Sequence, residues 1–156
     1  MARDYALRPA TLADADTLVR HRLAMFADMG SAYDALTLDA AFRAWLAQTM
    51  PGGVYRAWLV ETAAGEAAAG GGITVVPWPP GPRYPGDRLA FVYNVYTEPA
   101  HRRRGLARVV MDGIHAWCRA NGVTSVALNA SRDGQPLYEA LGYMQSAAPM
   151  MFLTLE

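Results

Sequence analysis

A continuous apolar run followed by an amphipathic helix pattern dominates the middle of the chain. Residues 89–96, Leu-Ala-Phe-Val-Tyr-Asn-Val-Tyr, form a run of strand length with little polar interruption. Such a run is typical of a strand buried on both faces, and Pro99 ends it. Apolar residues then recur at helical spacing from Leu106 to Trp117, and Gly122 provides a left-handed stop. The pattern predicts a strand, a turn and a helix in succession.

The rest of the chain predicts strands and helices on both sides of this segment. Helical spacing predicts two helices early in the chain, and short apolar runs between turn residues predict strands. In chain order, the predicted elements are strand 5–8, helices 11–29 and 37–49, strands 55–62, 67–76 and 89–96, helix 106–121, strand 123–128, helix 136–141 and strand 149–155. Antiparallel strands therefore come first, and a crossover helix between parallel strands follows, which indicates an α/β class of mixed α+β type.

Two stretches have a composition that disturbs this regular pattern. Gly70, Gly71 and Gly72 interrupt the strand at 67–76, and they predict a bulge or a close backbone approach. Proline occurs five times between positions 77 and 88, which excludes a central strand or helix. We therefore expect a stiff surface loop there, longer than most connections.

The composition indicates one ordinary globular domain. The chain has 156 residues, is 53% hydrophobic and carries a formal charge of zero, which excludes disorder and any general attraction to nucleic acid or membranes. No apolar run approaches the ~20 residues that a membrane-spanning helix needs. The single cysteine, Cys118, lies on the apolar stripe of its helix, so we expect a core thiol in a reducing compartment and no acyl-cysteine. We expect a soluble cytoplasmic protein with a single domain over residues 1–156.

The positive charge is concentrated where a helix disfavours it. Three arginines at 102–104 and Arg108 surround the start of the helix at 106–121, at the positive end of its macrodipole. This placement is favourable if an anion lies among them, and the small residues Gly105 and Ala107 would let backbone N–H groups approach that anion. A solvated basic turn is the alternative, and the pattern R-x-x-G-x-A alone favours it.

A second motif favours the anion-binding interpretation of this turn over a solvated basic turn. Residues 137–143 read Leu-Tyr-Glu-Ala-Leu-Gly-Tyr. Together with Arg102-x-x-Gly105-x-Ala107 after a strand, this motif resembles the GNAT superfamily of acyl-CoA-dependent N-acyltransferases. The resemblance implies a mixed, mostly antiparallel sheet of about six or seven strands flanked by about four helices. It also implies that the parallel strands ending near Tyr96 and Leu128 splay around the pantetheine arm. A dinucleotide-binding Rossmann fold is disfavoured because G-x-G-x-x-G is missing and the first half is antiparallel.

The resemblance implies acetyl-CoA as cofactor and assigns residues to it. Tyr138 stands where relatives have a tyrosine that protonates the CoA thiolate, and a core tyrosine is the alternative reading. Ser131 stands where relatives often have an asparagine, and Asn129 is nearby. The expected cofactor contacts are Val95, Tyr96, Arg102, Arg103, Arg104, Gly105, Leu106, Ala107, Arg108, Asn129 and Ser131.

The general base is less well defined. Some relatives carry a glutamate in the strand before the basic turn, but Phe91 stands at that place here. Tyr93 and Asn94 are candidates to hold a water instead, or are plain strand residues. His21 is a further candidate base, and a polar surface stripe on the first helix is the alternative. The residues expected at the acceptor site are His21, Met25, Asp28, Tyr93 and Asn94.

We expect no metal. His101 lies in a loop and His115 on the outer face of its helix, and neither has a cysteine or acid at metal-ligand spacing.

The expected function is direct transfer of an acetyl group from acetyl-CoA to the primary amine of a small molecule. A CoA-binding sensor or interaction module without turnover is one alternative, and a protein N-terminal or lysine acetyltransferase is another. The expected partner is the small-molecule amine, with no nucleic acid and no membrane, and a homodimer is left open.

Overall fold

A single sheet organises the chain, which we describe from a computed structural model over residues 4–155. The elements are β1 (Tyr5–Pro9), α1 (Ala15–Asp28), α2 (Ala35–Thr49), β2 (Tyr55–Thr62), β3 (Ala67–Pro77), β4 (Arg88–Thr97), α3 (Leu106–Ala120), β5 (Val126–Leu128) and α4 (Gln135–Ala140). The five strands lie side by side in chain order. The first three strand pairs are antiparallel, and β4 pairs with β5 in parallel. The α/β class and the sequence of elements as far as α4 are confirmed.

Local sequence explains where several helices begin. Asp34 caps α2, since its side chain accepts a hydrogen bond from the Thr37 amide at 2.8 Å. The predicted capping residues of the first helix form a 3₁₀ turn, in which the Thr11 amide donates to Asp14 Oδ2 at 2.8 Å. Pro136 lies in the first turn of α4, where its missing N–H breaks no helical hydrogen bond.

The predicted last strand is wrong. Residues 149–155 form no strand, and β5 is the edge of the sheet within residues 4–155. The apolar residues of this tail, among them Phe152 and Leu153, are exposed. A strand needs a partner strand as well as β-propensity, and β5 offers only three residues for pairing. β5 begins at Val126, whereas the sequence predicted a strand from residue 123. The sheet therefore has five strands where six or seven were expected.

The sheet separates two hydrophobic clusters. On one face, Val110 and Ile114 of α3 pack with Cys118 and strand residues, as expected for a core thiol. On the other face, Val19 of α1 and Leu46 of α2 pack against β2. Burial of these apolar side chains provides most of the driving force for docking the helices on the sheet. Any ligand that reaches the middle of the sheet must therefore enter from an end or between two elements.

The ladder between β3 and β4 contains the predicted irregularity. The β3 residues on either side of Gly71 pair with Tyr93 and Tyr96, so Gly71 alone faces Asn94 and Val95. Asn94 has a φ of 61°, in the left-handed region that asparagine tolerates better than most residues. This arrangement is a β-bulge, which leaves an extra residue on β4 and re-aims its side chains.

The three glycines also let neighbouring elements approach the backbone of β3 closely, which was the alternative to a bulge in the prediction for this stretch. A Cβ atom on Gly71 would lie 2.8 Å from Val110 Cγ1 of α3. A Cβ on Gly72 would lie 2.3 Å from the Tyr55 hydroxyl on the opposite face. Glycine is therefore required because elements on both faces press against β3.

The parallel pair of strands separates early, as the predicted splay requires. The pairing of β4 with β5 begins at Ala90 with Val126 and ends at Val92 with Leu128. β4 continues beyond this point to Thr97. Backbone groups on the β5 side of this last part of β4 therefore have no strand partner among residues 4–155.

The proline-rich stretch is a loop, as predicted, and it folds back on itself. The Trp78 amide donates to the Asp87 carbonyl at 2.9 Å, and Gly81 and Tyr84 form an isolated bridge.

No helix within residues 4–155 combines the length and apolarity that crossing a membrane requires.

Candidate active site

The turn before α3 is open and rich in free backbone amides. Gly105 is the N-cap residue with a φ of 76°, and no side chain caps this end of the helix. Arg103 is also left-handed, with a φ of 64°. A Cβ on Gly105 would meet no atom within 4 Å, so the turn faces open space. The first-turn N–H groups and the positive end of the helix dipole are thus available to an anion.

Arg102 does not face this open space. Its Nε donates to the Thr97 carbonyl at 3.0 Å, and its Nη2 donates to Asp28 Oδ2 at 2.7 Å. The guanidinium carbon lies 5.6 Å from the centre of the Tyr96 ring. Arg102 and Asp28, expected at the cofactor and acceptor sites respectively, therefore pair with each other. Their ion pair ties the end of β4 to the end of α1.

The other arginines of the turn are more exposed. Arg104 Nη1 donates to the Tyr5 hydroxyl at 3.1 Å, and the same hydroxyl lies 3.0 Å from His101 Nδ1. Arg103 is exposed, and Arg108 lies 3.9 Å from Asp112 one helical turn later. These contacts leave positive charge beside the uncapped end of α3. Leu106 is buried in the core below, and Ala107 is half-buried.

The two expected polar contacts after β5 have structural partners. The Ser131 hydroxyl accepts a hydrogen bond from the Gly134 amide at 3.1 Å, which shapes the turn before α4. Asn129 Nδ2 lies 3.7 Å from Met150 Sδ. Ser131 therefore helps to place α4 and the tyrosine that α4 carries.

Tyr138 is buried on α4, with 9% of its surface exposed. Its ring meets Tyr143 edge-on, with 5.8 Å between the ring centres. Burial raises the pKa of Tyr138, so its hydroxyl stays protonated and can donate at neutral pH.

His115 is half-buried and its Nε2 lies 2.7 Å from the Tyr143 hydroxyl, so the expectation that His115 lies on an outer face is wrong. The reason is that the segment after α4 folds back over α3.

His21 lies on the buried face of α1, with 2% of its surface exposed, and does not belong to a solvated polar stripe. Its Nε2 lies 3.0 Å from Glu98 Oε1, which also accepts from Arg20 Nη2 at 2.7 Å. Burial lowers the pKa of His21 more than Glu98 raises it, so the ring is neutral and Nε2–H donates. The ring also packs on Tyr96, with 5.1 Å between centres. The sequence analysis did not identify Glu98, because its position directly after a strand is the only feature of the sequence that sets it apart.

A polar cluster surrounds the bulge on the α1 and α2 side. Asn94 Oδ1 accepts from Arg22 Nη1 at 2.5 Å, and Asn94 Nδ2 donates to the Tyr55 hydroxyl at 2.9 Å. The Tyr93 hydroxyl accepts from Thr74 Oγ1 at 3.3 Å. Burial raises the pKa of Tyr55 to about 12, so this hydroxyl is neutral. Sequence reasoning found Tyr93 and Asn94 but missed their partners.

Met25, the remaining residue expected at the acceptor site, is half-buried on α1. Over residues 4–155, no three side chains of histidine, cysteine, aspartate or glutamate come together as metal ligands would.

The uncapped start of α3 lies near a parallel strand pair that separates, and its free amides and helix dipole are suited to an anion. Residues 22–143 match the acetyltransferase (GNAT) family, and the chain belongs to this family. The membership confirms the resemblance drawn from the basic turn and the 137–143 motif.

Solved structures agree with this assignment. A GCN5-related N-acetyltransferase from Ralstonia eutropha JMP134 is 35% identical, with a TM-score of 0.85 over 96% of this chain and 98% of that chain. A predicted acetyltransferase with acetyl-CoA from Clostridium acetobutylicum is 22% identical, with a TM-score of 0.82 over 96% of each chain. A ribosomal-protein-alanine N-acetyltransferase from Brucella melitensis biovar Abortus 2308 is 19% identical, with a TM-score of 0.70 over 97% and 99%. The last two show the fold alone. No curated protein matches the chain.

Proposed function

We propose that the protein is an N-acetyltransferase that moves an acetyl group from acetyl-CoA directly to the primary amine of a small molecule. The observation that carries the proposal is the open, uncapped start of α3 next to the point where β4 and β5 separate. Family membership supports acyl transfer. The acetyl group, the amine and the small-molecule acceptor are the parts that we propose.

The residues of the basic turn suit a diphosphate. No side chain caps the first-turn amides of α3, and the open space at Gly105 lets a phosphate approach the backbone. Arg103, Arg104 and Arg108 would add positive charge, and a bound anion would offset the unfavourable position of these cations on the helix dipole. Arg102, held by Asp28, would fix the shape of the turn.

Acetyl-CoA supplies the activated acyl group as a thioester. The bulge at Asn94 and Val95 leaves backbone N–H groups outside the regular ladder, where they can stabilise negative charge on a carbonyl oxygen. The amine nitrogen forms the C–N bond as the C–S bond of the thioester breaks, and Tyr138 Oη gives its proton to the departing thiolate. The proton that the amine nitrogen loses passes to solvent, from which the tyrosine is reprotonated. Phe91 provides no carboxylate in this strand, so we expect the acceptor amine to enter mainly in its unprotonated form.

Ligand-dependent stability tests the cofactor. A ligand at a hundred times its Kd that binds only the native state adds about 2.7 kcal/mol to the free energy of unfolding. We expect acetyl-CoA and CoA to raise the melting temperature clearly, and NADH and ATP to do much less. Stabilisation by NADH without stabilisation by acetyl-CoA would contradict the proposal.

A CoA-binding module without turnover is the second candidate, and the replacement of a strand carboxylate by Phe91 favours it. The rings of Phe91 and Tyr93 pack together at a tilt, with 4.9 Å between their centres, so an aromatic pair occupies this part of β4. A scan of amines with a free-thiol assay separates the two functions, because the module would bind acetyl-CoA and release no thiol. Peptides with free N-termini and lysines belong in the same scan to test protein acceptors.

A further inference from the structure

Arg22 is a half-buried cation without an acidic partner among residues 4–155. Arg8, Arg20, Arg43 and Arg102 each pair with a carboxylate, but none of the ion pairs found in residues 4–155 includes Arg22. Its Nε is buried and has no hydrogen-bond partner among the same residues. An unpaired charge in such surroundings is costly. The protein therefore maintains this cation at a cost that a ligand would offset.

The surroundings hold the guanidinium in place without neutralising it. Its central carbon lies 4.9 Å from the ring centres of both Phe26 and Phe42. Asn94 accepts one hydrogen bond from Nη1, and Asn94 is itself fixed by the Tyr55 hydroxyl. Cation–π contact and one neutral acceptor orient the planar group, but they supply no negative charge. Of the five N–H donors that an arginine carries, most remain without a partner in this part of the chain.

The position of Arg22 relative to the bulge suggests a function for its positive charge. Asn94, which bonds Arg22, is the left-handed residue of the bulge, and the proposed oxyanion donors follow it on β4. Val95 packs on the α3 side of the sheet, whereas Tyr93 packs on the side of α1 and α2. Helix α3 and Arg22 thus lie on opposite faces of β4. An acceptor approaching the bulge from the α1 and α2 side would meet Arg22 first.

We propose that Arg22 binds a carboxylate of the acceptor, so that the amine acetylated by this protein is an amino acid or a similar small amino acid-like compound. The planar guanidinium fork matches a carboxylate in two parallel hydrogen bonds. A single cation among aromatic rings fits one negative charge better than a phosphate dianion. This inference rests on the proposed acetyl transfer and deepens it by naming the class of acceptor. An internal peptide lysine has no carboxylate next to its amine and does not meet this requirement.

The test compares matched acceptors on the unmodified enzyme. The probes are L-amino acids, their α-carboxamides, their decarboxylated amines and amines that carry a phosphate. A charge-assisted hydrogen-bonded contact corresponds to roughly tenfold or more in affinity. We therefore expect kcat/KM to be at least about tenfold higher for a free amino acid than for its carboxamide. Equal use of the two compounds, or a preference for the phosphate-bearing amines, overturns the inference without involving any variant.

Variants then assign the preference to Arg22. Arg22→Gln should raise KM for the amino acid about tenfold or more and change KM for the carboxamide much less. Arg22→Lys, which keeps the charge and loses the fork, should recover part of the effect. The control is Arg119→Gln, which removes an exposed arginine of α3. A preference that survives in Arg22→Gln overturns the assignment.

Failure of this inference is distinguishable from failure of the proposed function. Acetyl-CoA should still raise the melting temperature of every variant, because none of the substitutions changes the basic turn. If no amine turns over, calorimetric titration of the amino acids into CoA-saturated protein replaces the rate. Binding that Arg22→Gln abolishes supports the carboxylate site even then, and the absence of such binding overturns it.

Discussion

At the scale of single residues, the most specific role that we propose is that of Tyr138 as a proton donor. The substitution Tyr138→Phe keeps the ring against Tyr143 and removes one hydroxyl. A proton donor acts chiefly in the transition state, so kcat should fall while the affinity for acetyl-CoA stays nearly intact. General acid catalysis contributes typically ~10²–10⁴-fold, so we expect a fall of at least roughly tenfold in steady-state kinetics.

Tyr143→Phe is the matched control. It removes a neighbouring half-buried hydroxyl that lies 2.7 Å from His115 Nε2. Its loss should lower the free energy of unfolding by about 1 kcal/mol without lowering kcat. A Tyr138→Phe enzyme that turns over at the parent rate would end the general-acid assignment.

The same residue predicts a feature of the pH profile. A donor must be protonated, and burial raises the pKa of Tyr138 above the ordinary value of ~10. Any fall in kcat caused by its ionisation should therefore begin above pH ~10 in the parent enzyme. The fall should be absent in Tyr138→Phe, as a comparison of the two pH–rate profiles will reveal.

His21 links stability to pH. Burial lowers the pKa of its ring in the folded state, so the unfolded chain binds a proton more readily below the ordinary histidine pKa of ~6.5. The contribution of His21 is present above that pH and is lost as pH falls towards the folded-state value. Burial lowers the pKa of His115 as well, so both residues act in this window.

Denaturant unfolding between pH 7 and 5 measures this loss. We expect His21→Gln to have a shallower dependence on pH than the parent, and His115→Gln to remove the other part. An unchanged slope in both variants would mean that the two rings are not held neutral by burial.

The start of α3 carries the prediction at the scale of elements. In Gly105→Val, the added Cβ meets no atom within 4 Å, so the branched side chain extends into the open space in front of the helix and strains a φ of 76°. We expect the affinity for CoA to collapse while the protein still folds, as measured by calorimetry and by melting temperature.

Gly30→Val is the control for backbone strain. Gly30 has a φ of 70° at the end of α1, and a Cβ there also meets no atom within 4 Å. Both variants should lose similar stability, but only the Gly105 variant should lose CoA binding. Unchanged affinity in Gly105→Val would mean that the basic turn is a solvated surface loop.

Elements defined by local pattern were predictable from the sequence. The apolar stripe of α3 and its glycine stop lie within one stretch, because a helix bonds residues that are near in sequence. The strand expected at 149–155 failed for the opposite reason, since a strand depends on a distant partner and β5 is too short to provide one. The glycines at 70–72 predicted an irregularity, but only the register against β4 locates it at Asn94.

Most contacts of the candidate site depend on the fold of the whole molecule. His21 and Glu98 are 77 positions apart, and Arg22 and Asn94 are 72 apart. No local pattern joins such residues, which is why Glu98 and Arg22 were not found in the sequence. The basic turn and the 137–143 motif were found because each is contiguous. At this scale α3 packs on one face of the sheet, and Arg22 of α1 lies on the other face beside β4.

Acetyl transfer itself is the central claim, and product balance tests it most directly. The protein is incubated with acetyl-CoA and a panel of amines, and free CoA thiol and N-acetylated amine are quantified in the same samples by a thiol assay and mass spectrometry. We predict that both products appear in equal amounts with at least one amino acid. Saturating acetyl-CoA binding without thiol release, or thiol release without an acetylated amine, would contradict the account.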